Sequence, residues 1–490
     1  MPGNKKIYLA IDIGASSGRV TAGIFDGKRL CMETVHRFST LPVEIEGSLR
    51  LDLEAFVSGI REGIARAYER YGKAVSAGVC SWGGQPLAIN ADGDLLEAAY
   101  YYRDPHFNNL ESDVFNRMPA WDLYRITGMY ESSIPKLMAH MTGRSPSLDQ
   151  AEKVFSVADY LTYRLSGVRV HEYTQARITQ LLDARTGTWS DEILTKMDIP
   201  RRLFGEVVYP SQKLGFIKED FFSGSGDKTS VTAIGAHDTA SAFAAAPVKE
   251  KTAAFISLGT WAILGCESEK PVINAKAFAS GFQNNAVAAG PVALVKNLEG
   301  LWLLEECRRS WRAEGRTYTF SELVDSAGYA KPFTAILDTI AQGFFAPGDM
   351  PRRVIRACLQ TGDTVPEVPG EITRTILEGL ALCYRHVLTQ LADTVEREFS
   401  SLHVFGGGSR NELLIQFIAD ACGLPVTAGP HEATSAGSIM AQMTADNEIT
   451  SLKEGRELIS RSFPLKTFTP ADRSSWDDAY TRLQYLQNIG

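Results

Sequence analysis

A turn rich in small residues lies near the start of the chain, between Asp12 and Arg19. Gly14 and Gly18 permit a sharp fold in which successive backbone N–H groups converge on an anion, while two serines and Arg19 add donors and a positive charge. Asp12 comes just before the turn, where a carboxylate could hold Mg²⁺ through water. These residues predict an anion-binding turn, and an ordinary hairpin turn is an equally good interpretation of them taken alone.

Two more glycine-bearing segments stand in the second half of the chain. Gly259 and Thr260 place one hydroxyl in a turn between apolar runs, for which a buried hairpin is the simpler interpretation. Gly406–Gly408 puts three glycines between a predicted strand and a predicted helix, so the backbone there can closely approach a flat ligand such as a nucleotide base or ribose. The triple glycine is neither a Walker motif nor the dinucleotide fingerprint.

Asp238 is the candidate for proton transfer. It follows an apolar run, Val231–Ile234, and precedes alanines that leave room for a substrate, so its carboxylate could act as a general base on a hydroxyl group. A single Asp at a strand end is also a common helix N-cap, which is the alternative interpretation. His237 beside it has no second His or Cys at metal-ligand spacing and does not predict a metal site.

The periodicity of apolar residues places these segments at the ends of strands. We expect strands, as the apolar runs indicate, over 7–13, 19–25, 30–38, 75–81, 253–257, 261–266 and 402–405. Apolar residues at helical spacing predict helices over 56–71, 376–395 and 412–422, the last with Asn411 as its N-cap and Gly423 at its end. Each half then repeats hairpin, helix, strand and helix, which favours a duplicated fold with a large insertion over about 100–230 and a boundary near 247–250.

Composition narrows the classes of protein that this chain can represent. Its 490 residues, 44% of them hydrophobic, suffice for two large domains. The net charge of −8 argues against nucleic acid as a partner, and no targeting or membrane-spanning segment is visible, so we expect a cytoplasmic protein without a membrane partner. Seven cysteines without a CxxC pair predict free, mostly buried thiols rather than disulfides or a zinc site.

Taken together, these segments resemble the FGGY family of carbohydrate kinases over almost the whole chain. The motifs that carry the resemblance, in order, are Gly14–Val20, Ser81–Gly83, Tyr102–Asp104, Glu172–Thr174, Thr179–Leu181, His237–Ala242, Gly259–Trp261, Lys296–Asn297, Gly300–Leu304, Gly406–Gly408 and Ala419–Gly423. The resemblance implies an α/β chain with two ribonuclease-H-like domains around a central cleft, the actin/hexokinase/Hsp70-like ATPase fold. Its domains are expected at 1–247 and 248–490.

The resemblance also implies ATP and Mg²⁺ as cofactors and gives roles to individual residues. Asp238 would be the catalytic base, and Asp12 would place the magnesium ion. Residues implied to contact ATP are Gly14, Ala15, Ser16, Ser17, Gly18, Arg19, Thr260, Glu305, Gly406, Gly407 and Gly408. Residues implied to contact the sugar are Gly83, His237, Asp238, Thr239 and Asn297.

The chain departs from the family pattern where substrate is recognised. Cys80 stands where an Asp is usual, and Gly84-Gln85-Pro86 replaces a Val-Asp-aromatic run that usually follows Trp82-Gly83. Glu305 likewise replaces a Gln near the nucleotide. Because lost carboxylates change which hydroxyl groups can be hydrogen-bonded, these positions leave the identity of the sugar open.

The expected reaction is transfer of the γ-phosphoryl group of ATP to a primary hydroxyl of a ketose. O1 of a 6-deoxy-ketohexose such as L-rhamnulose is the first choice, and another ketose, such as L-fuculose or xylulose, is the alternative. A more distant alternative is a non-catalytic regulator on the same fold that binds a nucleotide or a sugar. The sequence leaves both a monomer and a homodimer open.

Overall fold

The computed structural model describes residues 5–130, 133–219, 228–288, 290–341, 343–344 and 348–489. Its strands are β1 (Lys6–Ile13), β2 (Ser17–Phe25), β3 (Leu30–Ser39), β4 (Val43–Ile45), β5 (Ser48–Arg50), β6 (Ser76–Ser81), β7 (Leu87–Ile89), β8 (Lys153–Phe155), β9 (His171–Glu172), β10 (Val207–Val208), β11 (Lys213–Phe216), β12 (Ser230–Thr232), β13 (Ala253–Leu258), β14 (Trp261–Ser268), β15 (Gln283–Ala286), β16 (Val292–Glu299), β17 (Ser401–Phe405), β18 (Val426–Ala428) and β19 (Lys466–Phe468).

The described part of the chain also contains 17 α-helices. They are α1 (Leu53–Tyr71), α2 (Glu111–Arg117), α3 (Ala120–Thr127), α4 (Ile134–Met141), α5 (Val157–Ser166), α6 (Tyr173–Ile178), α7 (Asp191–Lys196), α8 (Asp238–Ala245), α9 (Ala275–Ala279), α10 (Trp302–Ala313), α11 (Phe320–Tyr329), α12 (Met350–Gln360), α13 (Pro369–Val395), α14 (Glu412–Cys422), α15 (Ala433–Ala445), α16 (Leu452–Ser462) and α17 (Arg473–Ile489).

The chain divides into two compact units. The first comprises Met1–Pro247, Glu267–Leu294 and Ala433–Ser462, and the second comprises Val248–Cys266, Val295–Glu432 and Phe463–Gly490. The domain limits 1–247 and 248–490 stay a prediction.

The first unit is built on a mixed sheet whose strand order is β11-β12-β6-β1-β2-β3. β1 pairs antiparallel with β2 and parallel with β6, and β6 pairs parallel with β12. The apolar face of α1, with Phe56, Ile60 and Ile64, packs into the same core as Leu9 and Ile11 of β1. The four strands predicted for this half are confirmed, although β2 begins two residues earlier, at Ser17.

In the second unit, six strands of a seven-stranded sheet follow the matching order β19-β18-β17-β13-β14-β16. β13 pairs antiparallel with β14 and parallel with β17, and β17 pairs parallel with β18. The repeated order of elements expected from the sequence is therefore confirmed, and the strand directions, which were not predicted, repeat as well. In α14, Asn411 accepts a hydrogen bond from the Leu414 N–H, and Gly423 ends the helix in the left-handed conformation, as predicted.

Two helices of the first unit, α8 and α15, pack closely because glycine leaves room between them. A Cβ atom on Gly437 of α15 would lie 1.8 Å from the carbonyl oxygen of Ser241 in α8. By contrast, Gly328 in α11 has no atom within 4 Å of the position that a Cβ would take. Only the first of these two glycines is required by packing.

The cysteines carry no disulfide in the part of the chain that the structure describes. Five of the seven free thiols are buried, as expected, while Cys31 is exposed and Cys422 is intermediate. Among the described helices, none has both the length and the apolar character needed to cross a membrane.

Candidate active site

The first candidate segment is the turn that joins β1 to β2. The Gly14 N–H donates to the Ser17 carbonyl at 3.2 Å, and buried Thr40 braces the turn by donating its hydroxyl to the Gly14 carbonyl at 2.5 Å. Ala15 and Ser16 are exposed at its tip. Gly18 lies against the ring of Phe38, which a Cβ would approach to 2.4 Å, so the strand that follows the turn accepts no side chain there.

Asp12 and Arg19 face each other across the β1–β2 ladder, where they are register partners. Nε of Arg19 lies 3.0 Å from Oδ2 of Asp12, whose residue is only 3% exposed. A buried carboxylate needs such a partner because leaving it unpaired costs several kcal/mol, on the order of the desolvation of one ion. Arg19, predicted to contact phosphate, is thus also the ionic partner of the buried Asp12.

Asp238 is the first residue of α8, and His237 occupies the N-cap position. The N-cap alternative for Asp238 is therefore wrong. The Asp238 carboxylate accepts hydrogen bonds from the backbone N–H of Thr239 at 2.5 Å and from its hydroxyl at 3.0 Å. Its side chain stays 30% exposed, which leaves it accessible to a substrate.

Desolvation raises the pKa of Asp238 to about 6, against the hydrogen bonds from Thr239 and the charge of Arg19, which lower it. A carboxylate with this pKa is mostly ionised at neutral pH and is a stronger base than an ordinary Asp. The side chain therefore has the protonation state that a general base requires.

The sheet brings Asp12 and Asp238 to the same region through β6. Asp12 is the register partner of Cys80, and the next residue of β6, Ser81, forms a parallel bridge with His237. Burial and the negative charges of Asp12 and Asp238 raise the pKa of the Cys80 thiol well above its usual value. Cys80 thus lies beside both carboxylates, as a neutral thiol.

Gly83 follows β6 and lies close to His237. A Cβ at Gly83 would be 1.6 Å from Cδ1 of Ile178 and 3.5 Å from the His237 ring. His237 Nε2 lies 3.6 Å from Oδ1 of Asp238. Three of the predicted sugar contacts of the first unit, Gly83, His237 and Thr239, are therefore grouped around the candidate base.

Behind this group lies a network that the residue patterns did not reveal. Glu172 and Thr174 at the start of α6 accept hydrogen bonds from the N–H groups of Ala236 and His237, and Gln175 donates to the Ala236 carbonyl. The motif Glu172–Thr174 was visible in the sequence, but its partners lie more than 60 residues away and no local pattern indicates them.

In the second unit, two candidate segments directly follow two strands that are neighbours and run parallel in the sheet. Gly259 and Thr260 follow β13, and Gly406–Gly408 follows β17, which pairs with β13 up to Ser257 and Phe405. Gly406 has a φ of 86°, in the region that favours glycine, and a Cβ on Gly408 would lie 2.5 Å from Cγ of Leu258. The strand pairing thus brings the Thr260 turn and the triple glycine to one edge of the sheet.

A glycine outside the predicted set supports this turn. Cβ on Gly300 would lie 2.7 Å and 2.8 Å from the carbonyl oxygens of Gly259 and Thr260, and those carbonyls accept hydrogen bonds from the N–H groups of Leu301 and Trp302. Gly300 therefore lets the start of α10 lie directly against the Thr260 turn.

The remaining two predicted residues lie elsewhere in the second unit. Glu305, on α10, pairs with Arg308 at 2.6 Å, so its carboxylate already has a cationic partner. Asn297 lies half-buried on β16. Both remain predictions as ligand contacts.

Known proteins resemble the chain along its length. Residues 7–244 match the N-terminal domain of the FGGY family of carbohydrate kinases, and residues 254–445 match its C-terminal domain. The chain is 38% identical to a rhamnulokinase from Bacteroides thetaiotaomicron, over 97% of this chain and 98% of the relative. It is 33% identical to a rhamnulokinase from Halalkalibacterium halodurans, over 95% and 99% of the two chains.

Solved structures share the fold at lower sequence identity. A xylulose kinase from Lactobacillus acidophilus superposes with a TM-score of 0.80 at 16% identity, over 99% of this chain and 98% of that chain. A glycerol kinase from Plasmodium falciparum superposes with a TM-score of 0.77 at 17% identity, over 99% and 98%. The expected two-domain actin/hexokinase-like fold is therefore confirmed. The chain belongs to the FGGY family of carbohydrate kinases and is an ATP-dependent sugar kinase.

Proposed function

We propose that this kinase transfers the γ-phosphoryl group of ATP to O1 of L-rhamnulose and produces L-rhamnulose 1-phosphate. The relatives named rhamnulokinase support the choice of sugar, because they match nearly all of the chain. The observation that carries the chemistry is the position of Asp238, accessible at the start of α8 with its pKa raised to about 6.

Asp238 is proposed to accept the proton of the attacking hydroxyl. Phosphoryl transfer depends mainly on in-line positioning and on neutralisation of charge, so the base has only to remove the proton as the new O–P bond forms. Gly83, His237 and Thr239 are proposed to contact the sugar, which is supported by their grouping around Asp238. Asn297 is kept as a proposed sugar contact of the second unit.

For the nucleotide, we propose the phosphate contacts separately for each unit. In the first unit they are the turn residues Gly14–Arg19, supported by the exposed tip at Ala15 and Ser16. In the second unit Thr260 is the proposed phosphate contact and the three glycines Gly406–Gly408 are proposed to border the adenosine, supported by their shared sheet edge. Glu305 is the weakest member of the proposal, because Arg308 already neutralises it.

Asp12 is the proposed residue for Mg²⁺. No group of three or more potential ligands from His, Cys, Asp and Glu is found in the described part of the chain. Mg²⁺ in phosphoryl-transfer enzymes is usually held by one or two carboxylates with waters and substrate phosphates, so a single buried Asp near Asp238 fits that ion. When bound, the ion would neutralise charge on the phosphates.

A second ketose as the natural acceptor is favoured by Cys80 near the end of β6 and by Gln85 and Pro86 after it. Cys80 and Gln85 replace carboxylates of the usual pattern, and both are buried. L-Fuculose and xylulose are the candidates.

ATP as phosphoryl donor also supports the cytoplasm as the proposed location, because ATP is supplied there.

A panel of ketoses tests the proposal. Purified protein with ATP and Mg²⁺ is assayed for ADP release with L-rhamnulose, L-fuculose, D-xylulose and L-xylulose, and the product is examined by ³¹P NMR. The expected result is the highest kcat/KM for L-rhamnulose and a phosphate on C1. No turnover of L-rhamnulose, with turnover of another ketose, would replace the first candidate by the second.

A further inference from the structure

The segment Ala236–His237 lies directly before Asp238, and side chains from the start of α6 hold its backbone. The Ala236 N–H donates to Oε2 of Glu172 at 3.2 Å, and the His237 N–H donates to Oγ1 of Thr174 at 2.9 Å. Nε2 of Gln175 donates to the Ala236 carbonyl at 2.9 Å. Three consecutive polar groups of the backbone are thus bonded to three side chains of one helix turn.

This support is needed because Ala236 and His237 lie beyond the end of β12 at Thr232. Their backbone meets β6 in a bridge between Ser81 and His237, in which the Ser81 N–H donates to the Ala236 carbonyl at 2.9 Å. Buried backbone N–H groups must find partners, and here Glu172 and Thr174 supply them. The path of the chain into α8 is therefore determined by these side chains.

The contacts from α6 also form a connected set. The Thr174 hydroxyl donates to Oε2 of Glu172 at 2.5 Å while it accepts from His237, so one carboxyl group orients the hydroxyl that holds the chain. Glu172 is buried and also accepts from the N–H groups of Thr174 and Gln175. Loss of any one member leaves a buried polar group of its neighbour without its partner.

Gln175 extends the set to the segment that carries Gly83. Its Nε2 lies 3.2 Å from the carbonyl oxygens of both Ser81 and Trp82, in addition to its bond with Ala236. A single buried amide group thus joins the segment that precedes the proposed sugar contact to the segment that precedes the proposed base.

We propose that Glu172, Thr174 and Gln175 are positioning residues of the kinase reaction, which hold the Asp238 carboxylate in place relative to the segment at Gly83. This inference rests on the proposed role of Asp238 as the base. A displacement of about 1 Å in a reacting group lowers a rate by as much as about 100-fold, so a set of three hydrogen bonds at this point affects turnover more than substrate binding.

Thr174→Val tests the proposal, because it keeps the shape of the side chain and removes the acceptor for the His237 N–H. The expected result is a kcat about 10- to 100-fold lower, with the KM for ATP within about twofold of wild type. Thr174→Ser restores the hydroxyl and is expected to return kcat to within about threefold of wild type. The matched control is Thr229→Val, which removes a hydroxyl that is equally buried and donates to the Ala74 carbonyl at 2.9 Å.

A double-mutant cycle with Asp238→Asn separates positioning from a general effect on the fold. If Thr174 acts through Asp238, Thr174→Val is expected to lower the residual kcat of Asp238→Asn by less than about threefold. An equal loss in both backgrounds, or a wild-type kcat in Thr174→Val, would overturn the positioning role and leave Asp238 assigned. Wild-type turnover by Asp238→Asn would instead overturn the base, and with it this inference. The melting temperature of every variant is measured as well. Thr229→Val is expected to lose about as much thermal stability as Thr174→Val and to keep its turnover.

Discussion

The acid limb of the pH–rate profile should belong to Asp238. A base must be ionised to accept a proton, so kcat/KM for the sugar is expected to fall about tenfold per pH unit below the pKa of the free enzyme's base. With a pKa of about 6, about a tenth of Asp238 is ionised at pH 5 and about nine tenths at pH 7. An Asp at the ordinary value of 3.8 would still be mostly ionised at pH 5.

The environment of Asp238 gives the sign and the size of a further shift. The Thr239 hydroxyl donates to Oδ1 at 3.0 Å and stabilises the ionised carboxylate, so its removal raises the pKa. A net hydrogen-bond contribution of about 0.5–1.5 kcal/mol corresponds to roughly 0.4–1 pKa unit. Thr239→Val is therefore expected to move the acid limb upward by that amount, in addition to any loss of sugar affinity.

The assay is initial-rate ADP release between pH 4.5 and 8.5, at saturating ATP and with sugar well below KM. Asp238→Asn is the control, since an acid limb that comes from protonation of ATP would remain in its residual activity. That variant is expected to lose about 100- to 10,000-fold in kcat, the usual contribution of general-base catalysis. A wild-type limb centred near pH 4, or a limb near pH 6 that persists in Asp238→Asn, would refute the assignment of the base.

Three other predictions follow from the packing and the buried acids. Gly408→Ala is expected to raise the KM for ATP about tenfold or more, because its Cβ would lie 2.5 Å from Cγ of Leu258. Gly407→Ala is the control and should leave the KM within about twofold of wild type, because nothing lies within 4 Å of its Cβ position. Equal effects of the two substitutions in steady-state kinetics would contradict this prediction. Gly437→Ala should destabilise the protein by about 3 kcal/mol or more in thermal or urea unfolding, whereas Gly328→Ala should be neutral or stabilising by about 0.5–1 kcal/mol. Burial raises the pKa of Glu172 to about 8, so its proton contributes stability below its ordinary pKa that is lost as pH rises through 8. Tm should thus fall less between pH 5 and 9 in Glu172→Gln than in wild type, and an unchanged slope would show that this carboxyl does not titrate there.

The sequence predicted seven strands of the two large sheets, β1, β2, β3, β6, β13, β14 and β17, because their signals are local, and it did not predict the other six. Apolar runs interrupted by glycine gave β1, β13 and β17 nearly to the residue, and the Asn411 and Gly423 caps gave both ends of α14. These signals depend on neighbours a few residues away, so they survive without knowledge of tertiary structure.

The contacts that organise the candidate site were not predictable in the same way. The bonds from Glu172 to Ala236 and from Thr174 to His237 join residues that no helical or strand period relates. Arg19 likewise was predicted from its charge to contact phosphate, and only the register of β1 with β2 shows that it pairs with Asp12. Residue types identified the chemistry, whereas the partners of those residues depend on which strands and loops become neighbours.

The departure at Cys80 bears on charge more directly than on recognition of the sugar. Cys80 is fully buried, with its Sγ 3.9 Å from Oδ1 of Asp12, and the negative charges of Asp12 and Asp238 act on it. A carboxylate at this position would be a third negative charge in the group and would raise the pKa of Asp238 further through like-charge repulsion. The neutral thiol removes that repulsion, so Asp238 is mostly ionised at neutral pH, and the charge of Arg19 also lowers its pKa. The substitution therefore favours an active base, in addition to removing a carboxylate that could hydrogen-bond a sugar hydroxyl.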